Sequence, residues 1–117
     1  MDEPTQIGIS TTMHPFLQSL KENGFFSDMT SAYQFAIAIA IKKRLIPKEL
    51  IDKRNVFAVV TVDPGREIHT VIKHLYPDLE TPYYTLAERL ADAGLRHMYE
   101  LESGGRLDLY ELIQEVT

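Results

Sequence analysis

Residues 33–41 read Tyr-Gln-Phe-Ala-Ile-Ala-Ile-Ala-Ile, and no other stretch of the chain restricts the fold as tightly. Phe35, Ile37, Ile39 and Ile41 alternate with Ala36, Ala38 and Ala40, so a strand with its large residues on one side competes with a helix. Periodicity alone does not separate the two. Alanine is the best helix former, Thr30 is a candidate N-cap, and Lys42, Lys43 and Arg44 follow where cations complement a helix C-terminus. These signals favour a helix. Being apolar all round, it must be covered on every side, by its own core or by another subunit.

The chain has 117 residues, 44% of them hydrophobic and 25% charged, which is the composition of one globular domain spanning 1–117. A domain of this size buries roughly two thirds of its unfolded surface, and oligomerisation would add to that. Cysteine is absent, which excludes disulfides, thiolate metal sites and cysteine nucleophiles. The start Met1, Asp2, Glu3, Pro4 is unlike the basic opening of a signal peptide, and no apolar run reaches the length of a membrane span. A cytoplasmic location is therefore expected. The net charge of −5 argues against a protein that coats nucleic acid indiscriminately. The charge is uneven, however: residues 42–54 carry six bases against two acids, and the remainder of the chain stands at −9.

Residues 5–10 alternate Ile7 and Ile9 with Gln6, Gly8 and Ser10, which predicts a short strand with one apolar face. Alone it would be unstable and must pair. Thr12 as N-cap, Pro15 in a first turn, and Met13, Phe16, Leu17 and Leu20 at helical spacing predict a helix that Gly24 ends. Residues 46–65 form an internal junction. Within it, Val56, Phe57, Val59, Val60 and Val62 suggest a buried extended segment without an evident partner. Asp63 with Pro64, and Thr81 with Pro82, open two further helices. Gly94 marks a kink or a break, residues 103–105 a turn, and Leu109, Leu112, Ile113 and Val116 a last amphipathic helix. The expected fold is mainly α: a short N-terminal strand followed by about five helices, with 63–117 a cluster of short ones.

No catalytic residues, metal ligands or cofactor are expected. His69 and His74, five apart, diverge by about 140° around a helix. His97 and Glu100 share a face but complete no coordination sphere. Gly104, Gly105 and Arg106 lack the length and the Lys-Ser/Thr ending of a phosphate-binding loop, and Ser27 with Asp28 reads as turn chemistry. The basic segment has two open readings, a solvated helix end with its connection and a surface for phosphate or for a partner.

The strand at residues 5–10, the helix with Phe16, Leu17 and Leu20, the stop at Asn23 and Gly24, and the long apolar helix opened by Thr30 and Ser31 together resemble the ribbon-helix-helix superfamily of prokaryotic DNA-binding dimers. The resemblance covers residues 5–44. A similar layout occurs in the small accessory protein of bacterial DNA sulfur-modification systems. The resemblance implies a homo-oligomer in which the strand forms an intersubunit ribbon and the second helices form the shared core. It implies nucleic-acid contact through Gln6, Gly8 and Ser10 on the strand, with Lys42, Lys43, Arg44, Lys48, Lys53 and Arg54 supplying phosphate contacts. With no basic residue on the strand, sequence preference should be weak. The expectation is a DNA-associated or regulatory protein, not an enzyme. The alternative is a protein-interaction or accessory subunit of related fold that does not touch DNA. The expected partners are thus a second copy of the chain, double-stranded DNA or another protein, and no membrane.

Overall fold

The computed structural model describes residues 2–116. In chain order the elements are β1 (Gln6–Ser10), α1 (His14–Glu22), α2 (Met29–Lys42), β2 (Lys53–Ala58), α3 (Val59–Val62), α4 (Glu67–Leu75), α5 (Tyr83–Ser103) and α6 (Leu109–Val116). The fold is mainly α with a short N-terminal strand. The run at residues 33–41 is helical, and its helix starts earlier than Thr30 implies: the Asp28 carboxylate caps it, accepting from the Ser31 amide at 2.7 Å. That bond also holds the Asp28 carboxyl below its usual range.

The two extended segments that lack partners in the sequence find each other. β1 pairs antiparallel with β2 of the same chain, with Gln6 opposite Ala58 and Ser10 opposite Lys53 and an irregularity between Ile7 and Gly8. The expected intersubunit ribbon is therefore an in-chain pair. The other edge of β1 is also occupied. The Gly8 amide donates to Glu88 Oε2 and the Ser10 amide to Asp92 Oδ1, each at 3.0 Å, and the Tyr33 hydroxyl donates to the Gly8 carbonyl at 2.7 Å. A buried strand edge without acceptors would cost about 1–3 kcal/mol per orphaned group. Two carboxylates one helical turn apart on α5 meet that demand. Residues 56–62 are extended only through Ala58, and Val59–Val62 makes a single helical turn.

α5 is the backbone of the molecule. It runs unbroken for 21 residues, so Gly94 does not break it, and the C-terminal half is not merely a cluster of short helices. Gly94 is instead where α2 crosses: a Cβ there would lie 2.0 Å from the Ala36 carbonyl oxygen. Only a missing side chain permits that approach. Around this crossing Tyr33, Ile37, Leu90, Leu95 and Met98 are essentially fully buried, with Ile7 and Ile9 of β1 and Leu17 and Leu20 of α1 closing the core.

The first turn of α5 is capped from a distance. Glu3 accepts from the Tyr83 amide at 2.8 Å and the Tyr84 amide at 2.9 Å, where Thr81 was the residue expected to act. α4 begins at Glu67 rather than directly after Asp63 and Pro64. Asp63 nevertheless does the capping, each of its oxygens accepting at 3.0 Å from the Ile68 and His69 amides. Gly104, Gly105 and Arg106 close α5, the Arg106 amide reaching the Leu101 carbonyl at 2.7 Å.

Candidate binding surface

Between the end of α2 and the start of β2 the chain runs without regular structure over residues 45–51, a strap fixed at both ends. Arg44 takes a left-handed conformation, φ 54°, and lets the Leu45 amide close α2 on the Ala40 carbonyl at 2.9 Å, the helix stop that glycine usually provides. Asp52, φ 52°, re-enters the sheet with its carbonyl accepting from both the amide and the hydroxyl of Thr11. Between these anchors residues 46–51 make no hydrogen bond among the described residues.

The strap faces α5 across a trough of about 660 Å³. The α5 wall is one stripe of that helix, comprising Arg89, Asp92, Ala93, Arg96, His97 and Glu100. Asp92 is committed: it accepts from the Ser10 amide and hydroxyl, and from Arg96 Nε at 2.8 Å. Arg96 is further held by the Ser10 and Thr12 hydroxyls. Arg89, partly buried, and Arg44 and Lys48 from the strap have no carboxylate partner among the described residues. Glu49 and Glu100 have no cationic partner among the described residues. His97 also lines the trough, its Nε2 buried and without a hydrogen bond among the described residues. Ile46 and Ile51 of the strap stand 76% and 79% exposed.

The nine positions implied for nucleic-acid contact do not form one surface. Gln6 is exposed at the start of β1, whereas Gly8 and Ser10 are buried, their amides spent on Glu88 and Asp92. The alternation that points Gly8 and Ser10 outward assumes solvent on that side, and α5 fills it. Lys42 lies at the rim of a different hollow, Lys43 pairs with Glu115 at 2.9 Å, and Lys53 pairs with the buried Glu88 at 3.0 Å. Arg54 is exposed near His14, whose pKa is lowered by partial burial and then by that guanidinium. In the trough Arg44 and Lys48 come together, and Arg89 joins them from 41 residues beyond Lys48. The signal for Arg89 and Arg96 lay in their spacing of seven on one helix face.

The second hollow is an open apolar groove of about 530 Å³ on the outer side of α2, walled by Ala38, Ile41, Ile68 and Val71. Its rim carries opposite charges. Lys42 sits at the α2 C-terminus next to Lys43, which reaches α6 through Glu115. Glu67 is the first residue of α4, and at the end of α3 the Val62 carbonyl accepts from Gln34 Nε2 at 2.7 Å.

The histidines do not converge. His69 meets Tyr83 edge to face with ring centroids 4.5 Å apart and meets Arg66 at 3.1 Å, and His74 is exposed near the end of α4. Among the described residues no group of three or more metal-capable side chains assembles, and no helix is long and apolar enough to cross a membrane. No protein-family model matches the chain, and no curated protein or solved structure is significantly similar to it.

Proposed function

We propose that the protein is a non-catalytic, homo-oligomeric accessory subunit that acts by binding. The observation that carries this reading is the apolar groove on α2. Lys42 and Glu67 both line it, so a two-fold arrangement that sets each Lys42 against the Glu67 of a second copy makes two complementary ion pairs. α2 is apolar all round, and the core buries Ala32, Tyr33, Ala36, Ile37, Ile39 and Ala40 while leaving Ala38 and Ile41 only partly covered. A second copy completes that cover. The buried carboxylates Glu88 and Asp92 support the non-catalytic part, since both are engaged with backbone amides and cations. The cysteine-free composition fits a cytoplasmic home.

Light scattering at micromolar concentration tests the reading, with a dimer expected. Lys42→Glu or Glu67→Lys alone should weaken association, and the two together should restore it. A stable monomer, or a double variant no better than either single one, would overturn it.

The second reading is the DNA-associated or regulatory protein that the ribbon-helix-helix resemblance implies. It is supported by the exposure of Lys42, Arg44, Lys48 and Arg54, none of which has a carboxylate partner among the described residues. With Gly8 and Ser10 buried, such binding would rest on phosphates and carry weak sequence preference. Titration of a short duplex at several salt concentrations is the test. Affinity should fall with a log-log slope of about −0.9 per phosphate contacted. No binding at low salt would remove this reading and leave the first.

A further inference from the structure

We propose that the trough between the strap and α5 is a docking site for an extended, acidic peptide segment of a partner protein that also carries aliphatic side chains. The inference rests on the reading of the chain as a binding subunit but uses a different face from the α2 groove.

Two independent features select this occupant. The first is the strap backbone, which has no regular structure between two left-handed residues and makes no hydrogen bond over residues 46–51 among the described residues. Its unpaired amides and carbonyls are free to be taken up by an added strand, the basis of β-augmentation. Pro47 removes one donor, so pairing falls on residues 48–51. The second feature is the pairing of exposed aliphatic and cationic side chains. Ile46 and Ile51 are almost fully exposed beside Arg44, Lys48 and Arg89, which have no carboxylate partner among the described residues. An interface with DNA phosphates is polar and wet and gives such isoleucines nothing to pack on. A peptide whose side chains alternate between acid and aliphatic matches both.

The charge balance sets the sign of the partner. Asp92 and Arg96 neutralise one another, leaving three cations against Glu49 and Glu100 in a molecule whose net charge is −5. The trough is thus a positive concavity on an acidic protein. Its volume, about 660 Å³, suits a short segment rather than a whole domain face.

The experiment measures fluorescence anisotropy of a labelled peptide alternating glutamate with leucine, against one alternating lysine with leucine, on the full chain. The acidic peptide should bind and the basic one should not. Lys48→Glu and Arg89→Glu should each weaken binding by about tenfold or more. Ile51→Ser should weaken it without changing the melting temperature, because that side chain is exposed in the free protein. Hydrogen exchange at residues 48–51 should slow when peptide is bound. The proposal is overturned if the two peptides bind equally, if the charge reversals have no effect, or if binding leaves exchange in the strap unchanged. It is also overturned if a phosphorylated oligonucleotide competes through the same residues with higher affinity than the acidic peptide. Failure on any of these counts leaves the light-scattering test of the α2 groove standing.

Discussion

Replacing Gly94 by alanine sets two effects of opposite sign against each other. In an ordinary helix interior the change stabilises by about 1 kcal/mol, because alanine surrenders less backbone entropy. At this crossing the new Cβ would lie 2.0 Å from the carbonyl oxygen of Ala36 and 2.7 Å from its carbon, both backbone atoms that no rotamer change can move. Reaching an ordinary contact of 3.4 Å requires α2 and α5 to separate locally by about 1.4 Å. A gap of that size forfeits half or more of the dispersion energy across the interface, so the cost is about 3 kcal/mol, the upper end of the usual overpacking range. The net loss is then about 2 kcal/mol. For a domain of this size that is a fall in Tm of about 8 °C, where propensity alone predicts a rise of about 4 °C. Calorimetry on G94A decides between them. Ala36→Gly should not rescue the variant, since the obstruction is the carbonyl and not the alanine methyl. A melting temperature at or above that of the parent protein would refute the close-crossing argument.

The edge of β1 gives a second test: Glu88→Ala should cost about 2–3 kcal/mol in urea unfolding by orphaning the Gly8 amide. Glu88→Gln keeps an acceptor for that amide, loses only the pair with the 35% exposed Lys53, and should cost under about 1 kcal/mol. Equal effects from the two changes would show that the amide is not the point of contact. Glu3→Ala should destabilise by about 1 kcal/mol and speed hydrogen exchange at Tyr83 and Tyr84; unchanged exchange would sink the capping role. Burial, and then the bond to Asp63, push the Tyr84 hydroxyl up to about 12. The unfolded chain therefore releases this proton first, so the contribution is intact below pH 10 and is lost as pH rises from about 10 to 12. Tyr84→Phe should make the decline in stability over that window shallower, the remaining slope falling to groups such as Tyr33, which burial also raises. An identical slope in chemical denaturation would refute the assignment.

Much of the helical content was legible in local chemistry. Alanine propensity and a basic end fixed α2, Gly24 stopped α1, and the spacing of Leu109, Leu112 and Val116 marked α6. These are signals over a few residues, set by backbone entropy, capping and one-sided burial. The cap of α5 was out of reach of local pattern because Glu3 arrives across 80 residues of sequence, whereas Asp63 does cap α4, reaching over Pro64 and Gly65 to a helix that starts later than expected. Local pattern also could not pair β1 with β2, because strand partners are chosen by long-range packing and each strand alone looks equally unsatisfied. For the same reason it could not see that Gly8 and Ser10 face carboxylates rather than solvent. The trough is the sharpest case. Arg44 and Lys48 were visible as part of a basic run, but that run disperses over several faces once α2 ends and β2 folds back. What gathers two of its cations with Arg89 is the packing of α5 against α2 and the strap that follows it, and that follows from how closely two helices approach at Gly94 rather than from any residue's own preference.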